Sequence, residues 1–324
     1  MTYLVTGAAG FIGYHTCQRL LGQGHQVIGV DEVNAYYDPL IKETRLAKLG
    51  QLPGFTLYRQ DIADRQAMAD LAARHPEITR IIHLAAQAGV RYSLINPFAY
   101  TRSNIEGHLV MLELARGLPA CEHFVYASSS SVYGNNTKMP LSVEDRVDTP
   151  VSLYAATKKA NEMMSHSYSH LFGIPSTGLR FFTVYGPWGR PDMSVFLFTK
   201  AILAGEPIRV FNNGDMRRDF TFIDDIVSGV VAVAAGAPSG PGVPAKVYNI
   251  GNHRSEPLMR MIEVLEQTLG RKAEINFEPM QPGDVKETYA DIEAIQRDYG
   301  FQPSTSIDTG IPRFVEWYRD YFQV

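Results

Sequence analysis

Cysteine is scarce in this chain: Cys17 and Cys121 are the only two among 324 residues, and neither has a CxxC neighbour. That excludes a disulfide framework and a thiolate metal site, and it fits a reducing cytoplasm with no metal expected. One-sided charge is lacking too. Lys and Arg total 30 against 34 Asp and Glu, and the basic residues are scattered, so nothing calls for a nucleic-acid partner. No apolar run is long enough for a bilayer. The richest, Ile226 to Ala237, is short and Gly/Ala-rich, and is expected as a buried helix. The opening residues, MTYLVTG, read as an apolar strand with no basic region ahead of a long apolar stretch, so no leader is expected. Repeats and low-complexity tracts are missing as well.

What is present has an ordinary globular balance, 45% hydrophobic and 20% charged, which excludes a disordered chain. The length favours two lobes over one. In the first half, strand-like runs at Tyr3 to Thr6, Gln26 to Val30, Phe55 to Arg59, Arg80 to Leu84, His123 to Ala127 and Ser176 to Arg180 alternate with helix-length segments. Those helical segments include Gly13 to Gln23, Arg65 to Arg74 and Asn104 to Gly117. Such alternation predicts βαβ units, a parallel sheet covered on both faces and right-handed crossovers. After about Phe181 the order loosens, and Pro, Gly and Asn become frequent. The expected class is α/β: a Rossmann-type doubly wound parallel sheet over residues 1–180, with a smaller mixed α/β substrate-binding lobe over 181–324. Some segments are expected to exchange between the two. Ala237 to Pro244 is expected as a surface loop.

The first strand runs into Gly7-Ala8-Ala9-Gly10-Phe11-Ile12-Gly13, and a helix follows. A turn of this kind aims backbone N–H groups outward at a helix N-terminus, where the dipole favours a pyrophosphate. Glycine is needed because a Cβ blocks close approach of phosphate and strand. Asp31 ends the second strand, where a ribose-hydroxyl acceptor belongs, and its carboxylate repels a 2′-phosphate; NAD is therefore expected over NADP. Asp61, just after the third strand, is expected beside the adenine.

Tyr154 and Lys158 form YxxxK, which on a helix places both side chains on one face. A lysine cation there stabilises phenolate and makes the tyrosine a general acid/base. Upstream, Ala127-Ser128-Ser129-Ser130-Ser131-Val132-Tyr133-Gly134 follows a predicted strand and offers a hydroxyl beside that tyrosine, although serine runs also serve as plain loop chemistry.

Together TGAAGFIG, HLAAQAGV, YASSSSVYG, YAATK and RRDFTFIDD resemble the extended short-chain dehydrogenases, specifically the nucleotide-sugar epimerases, and the likeness runs through the C-terminal QPGDVKETYAD. The resemblance implies Tyr154 as acid/base, Lys158 as its activator and nicotinamide-ribose ligand, and Ser129 as the partner hydroxyl, with Ser130 or Ser131 as alternatives. It implies cofactor contacts from Gly7, Gly10, Phe11, Ile12, Gly13, Asp31, Asp61, Ile62, Ala85 and Ala86. It also implies a homodimer packed through the helices at Asn104 to Gly117 and Tyr154 to Phe172.

The sugar is narrowed by departures within that family. Hexose epimerases of this type carry an asparagine where this chain has Thr183, and GPWGRPDM, with Arg190, is similar to UDP-glucuronate 4-epimerases. On that resemblance Arg190 offers a guanidinium to the sugar carboxylate and Thr183 a hydroxyl. Arg218 matches the family's pyrophosphate arginine, and Asp284 its late nucleotide-binding motif. Arg91 is either a further substrate-side cation or structural. The activity implied is NAD-dependent 4-epimerisation of a UDP-linked uronate through a 4-keto intermediate. The alternatives are 4-epimerisation of another UDP-sugar, or decarboxylation to UDP-xylose, whose enzymes often carry a glutamate just after the serine/threonine run, where this chain has Val132-Tyr133-Gly134. A silent NAD-sensing scaffold is the reading from another class, and the intact Tyr154 and Lys158 speak against it.

Overall fold

The computed structural model describes residues 1–281 and 283–324. Six strands come from the first half: β1 (Thr2–Thr6), β2 (Gln26–Val30), β3 (Phe55–Tyr58), β4 (Arg80–His83), β5 (His123–Ser129) and β6 (Ser176–Phe181). Side chains along them alternate between the two faces. Tyr3 and Val5 of β1, Ile82 of β4 and Val125 of β5 enter one buried cluster, while Leu4, Ile81, Phe124 and Tyr126 enter a second on the opposite face. Burial on both faces explains why these strands read as nearly continuous apolar runs.

All pairings in this sheet are parallel, and its order is β3-β2-β1-β4-β5-β6 followed by strand Ala245–Ile250. From β1 the chain winds outward to β3, then returns to β4 and winds the other way. The reversal opens a crevice at the carboxyl ends of β1 and β4, the place where doubly wound sheets bind ligands. The first face is covered by α1 (Phe11–Gly22) and helix Ile223–Ala235, the second by helices Arg65–Arg74 and Gly107–Gly117.

Two segments from beyond residue 180 pack with the first sheet. Strand Ala245–Ile250 pairs with β6 in unbroken register, and helix Ile223–Ala235 belongs to the same core as α1. That core runs on through Phe196, Ile208, Met261 and Phe314, so apolar packing is continuous across the expected boundary. The remaining strands form small two-stranded pairs: Thr183–Tyr185 with Phe220–Phe222, Ile208–Phe211 with Ile275–Glu278, and Arg217–Arg218 with Glu256–Pro257. The helix expected to begin at Asn104 is entered through a π-helical turn, Thr101–Glu106. No helix among the described residues is long and apolar enough to cross a membrane.

Candidate active site

A cleft of about 1100 Å³ opens at the carboxyl ends of the central strands, and every residue singled out from the sequence lines it. At one end lies the glycine turn. Gly7 has φ +73°, a conformation that disfavours L side chains, and a Cβ on it would sit 2.9 Å from the Ala85 nitrogen of the loop after β4. Gly13 is the tightest position: a Cβ there would come within 2.0 Å of the Gly7 carbonyl oxygen. The first turn of α1 contains no acidic residue, and its N-cap, Gly10, supplies no side-chain cap. Its N–H groups are thus left for an anion.

Asp31 braces this turn. Its Oδ2 accepts from the Ala9 N–H at 3.0 Å and its Oδ1 from the Val33 N–H at 2.8 Å. Burial raises the Asp31 pKa, while those N–H groups and the nearby Lys42 pull it back. Glu32 also lines the cleft, so negative charge gathers where an NADP 2′-phosphate would need cations. The cradle of N–H groups, the space kept by glycine and the strand-end carboxylate fit an NAD. Asp61 accepts from the Ala63 N–H at 2.8 Å and pairs with Arg102 at 2.7 Å, beside Ile62 on the cleft wall. Ala85 and Ala86 form the wall opposite, and Asn104 fixes their loop: its Oδ1 accepts from the Gln87 N–H at 2.8 Å, and its Nδ2 donates to the Gln87 carbonyl and the Thr157 hydroxyl, each at 3.0 Å.

Tyr154 and Lys158 lie on helix Leu153–Phe172, whose N-cap Ser152 accepts from the Ala155 N–H. The Lys158 ammonium donates to the Ala127 carbonyl at 2.9 Å, and burial pushes its pKa down to about 8. The Tyr154 phenol is pushed up by burial and drawn back by a hydrogen bond with Ser129 and by the Arg190 guanidinium. Among the serines, Ser128 is committed elsewhere, donating to Glu162 at 2.7 Å inside the protein. Ser129 lowers the pKa of the phenol and donates to the Ser131 hydroxyl at 3.1 Å. Ser130 opens a short 3-10 turn and lines the cleft beside them.

Beyond the phenol, the expected substrate-side residues fall into two groups. Thr183 begins the strand directly after β6, and Arg190 lines the cleft with Tyr154 and lowers its pKa. Arg190 already holds a protein carboxylate, with its Nε and Nη2 donating to Asp192 at 3.0 and 2.5 Å. Farther along, Arg91 pairs with Asp284 at 2.8 Å and stacks on Phe211 with its guanidinium carbon 4.4 Å from the ring centre. Arg218 stands within reach of both charges and spends its own donors on the Arg217, Val285 and Lys286 carbonyls.

Four supporting residues were not singled out from the sequence. Glu162 pairs with Arg180 at 2.8 Å and holds Ser128 in place. A signal existed for it, since it continues the four-residue spacing of Tyr154 and Lys158. Asp192 sat inside the GRPDM run already read for its arginine. Asn104, and Arg45, which donates to the Ala9 and Trp188 carbonyls, carried no local signal, because these partners lie far away along the chain.

Residues 3–251 match the model of a family described as the NAD dependent epimerase/dehydratase family. The chain is 47% identical to a probable UDP-glucuronate 4-epimerase of Rhizobium meliloti, over 98% of this chain and 97% of that one. It is 46% identical to UDP-glucuronate 4-epimerase 4 of Arabidopsis thaliana, over 99% of this chain and 76% of that one. Among solved structures, UDP-glucuronic acid 4-epimerase from Bacillus cereus, in complex with UDP-glucuronic acid and NAD, superposes with a TM-score of 0.91 at 34% identity, covering 99% of this chain and 100% of that one.

Proposed function

The chain belongs to the NAD dependent epimerase/dehydratase family, and from that premise we propose that it interconverts UDP-glucuronate and UDP-galacturonate by NAD-dependent 4-epimerisation. Bound in the cleft, NAD supplies a hydride acceptor that later returns the hydride to the opposite face of the sugar. The protein's part is proton handling and restraint. As phenolate, Tyr154 takes the C4 hydroxyl proton, becoming phenol, and gives it back on the return step; Ser129 holds the oxygen it acts on, and Lys158 keeps a cation behind the pair. Arg91, Arg218 and Asp284 face the UDP, and Thr183 with Arg190 faces the sugar carboxylate.

The observation that supports the uronate reading is that the Arg190 guanidinium lines the same cleft as the Tyr154 phenol and lowers that phenol's pKa. A cation beside the reacting carbon matters because a 4-keto uronate is a β-keto acid. It loses CO₂ when the bond to its carboxyl carbon aligns with the carbonyl π system, so an epimerase must hold that group out of alignment. The decarboxylase reading lacks support from the stretch Val132-Tyr133-Gly134, which offers no carboxylate. Incubation with UDP-glucuronate and NAD decides the matter. Sustained UDP-galacturonate is the expected product; UDP-xylose with CO₂, or turnover of neutral UDP-sugars alone, would reject the assignment.

The same reading includes a homodimer built on the helix faces around Leu109 and Met163. Cys17 and Cys121 are both free thiols, in keeping with a cytoplasmic protein.

A further inference from the structure

Arg190 has five N–H donors in a planar fork. The edge made by Nε and Nη2 is bound bidentately by Asp192, and Nη1 has no protein partner among the described residues. Asp192 is itself held: its Oδ2 accepts from the Tyr36 hydroxyl at 3.0 Å. Burial pushes the Tyr36 pKa up to about 12, with the Asp192 charge adding to the rise, so this phenol stays a donor throughout the working pH range.

The backbone leading to Arg190 is fixed with equal care. Arg45 is among the largest fully buried side chains of the protein. Its Nη1 donates to the Ala9 carbonyl of the glycine turn at 2.7 Å, and its Nη2 to the Trp188 carbonyl at 2.6 Å. Trp188 has φ +61°, an uncommon conformation for a residue with a side chain, which persists only where surrounding contacts enforce it. His15 of α1 adds a contact to the Pro187 carbonyl at 2.9 Å. Both the side chain and the main chain of Arg190 are therefore anchored on elements of the dinucleotide site.

We propose that Asp192 is a positioning residue that controls which product leaves the site: it clamps one edge of Arg190, so that only the Nη1 edge meets the sugar carboxylate in a fixed plane. This rests on the reading of Arg190 as the carboxylate's contact. A guanidinium free to swivel follows the carboxylate as the 4-keto sugar turns over. A clamped one holds it out of the carbonyl π plane. When that restraint fails, the bond between C5 and the carboxyl carbon breaks, its electron pair passes into the C4 carbonyl as an enolate, CO₂ leaves, and C5 takes up one proton. Tyr36 and Arg45 tie the clamp to the segments that grip the dinucleotide.

The test measures, for wild type, Asp192→Asn, Tyr36→Phe and Arg190→Ala, the ratio of CO₂ released to UDP-galacturonate formed, with kcat and KM for UDP-glucuronate and for UDP-glucose. Thermal melting and bound dinucleotide are recorded for each variant. Asp192→Asn should raise the CO₂ ratio by about tenfold, the effect of losing one charge-assisted contact. Tyr36→Phe, which removes the hydroxyl that donates to Asp192 and bears on Arg190, should move it in the same direction by less. It also serves as the deciding variant if Asp192→Asn does not fold. A ratio unchanged in the folded variants, with Arg190→Ala still impairing UDP-glucuronate more than UDP-glucose, would overturn the clamp alone. Equal impairment of both sugars in Arg190→Ala would instead remove the reading beneath it.

Discussion

Tyr154 is a buried phenol whose surroundings contain both the force that keeps it protonated and the groups that oppose it. Burial raises its pKa, and the Ser129 hydroxyl and Arg190 lower it. Tyr154→Phe removes the oxygen and little else, so it should cut turnover by roughly a hundredfold to ten-thousandfold, the range for loss of a general acid/base. Bound dinucleotide should be retained, because the glycine turn and Asp31 are untouched. Turnover assayed beside the ultraviolet absorbance of the purified variant checks both halves, and turnover near the wild-type rate would mean that another group handles the proton. At this scale the sequence was informative where chemistry demands a residue type at fixed spacing: glycines at a phosphate turn, tyrosine and lysine one helical turn apart. It was silent about the company each charge keeps. Arg190 was readable as a cation near the sugar, whereas its pairing with Asp192 and the tie from Asp192 to Tyr36 depend on a contact 156 residues away in sequence. The serine run shows the same limit, since only the fold reveals that Ser128 donates to Glu162 inside the protein.

Helix α1 does its work through how closely it approaches β1. At Gly13 a Cβ would stand 2.0 Å from the Gly7 carbonyl oxygen and 2.8 Å from its carbon, both backbone atoms that cannot swing away. Gly13→Ala must therefore displace the turn, at a cost of about 1–3 kcal/mol for overpacking, and the N–H groups that cradle the pyrophosphate move with it. The expected result is a lower melting temperature together with loss of copurifying dinucleotide. Gly22, at the far end of the same helix, has open space where a methyl would stand, with no atom within 4 Å, so Gly22→Ala should leave both unchanged or slightly raise stability. Similar behaviour of the two variants in melting and dinucleotide content would refute the packing argument. Elements of the first half were legible because burial on both faces writes apolar runs into the strands, and glycine and aspartate punctuate their ends. Strand Ala245–Ile250 was not, since AKVYNI after a Gly/Pro-rich loop says nothing about which sheet edge it joins. The π-helical entry at Thr101–Glu106 was hidden too: it turns Asn104 toward Gln87 and Thr157, and those contacts exist only after folding.

Across the whole molecule, apolar side chains gather in two buried clusters, one on each face of the sheet, which makes the exposed exceptions informative. On helix Leu153–Phe172, Met163 is 61% and Leu171 67% exposed, and Leu109 on the neighbouring helix Gly107–Gly117 is exposed as well. Just before that helix, Ile95 and Phe98 are 76% and 81% exposed. Scattered apolar residues on a surface need no explanation, but a run of them over adjoining helices is the sort of patch that a partner covers. A second copy of the chain is the partner proposed here, because symmetric pairing lets one such face bury itself against its own image. The face is also continuous with the site. Helix Leu153–Phe172 carries Tyr154 and Lys158, and Asn161 on it donates to the Asn104 carbonyl at 2.5 Å, so pairing would stiffen the elements that hold the phenol. Light scattering should then give twice the 36.1 kDa chain mass. Met163→Glu with Leu171→Glu places two unpaired charges in the contact and should shift the mass to that of one chain, with turnover reduced along with it. A wild-type protein of single-chain mass at micromolar concentration would remove the dimer, and it would leave the chemistry of the cleft standing, since every group assigned to the reaction comes from one chain.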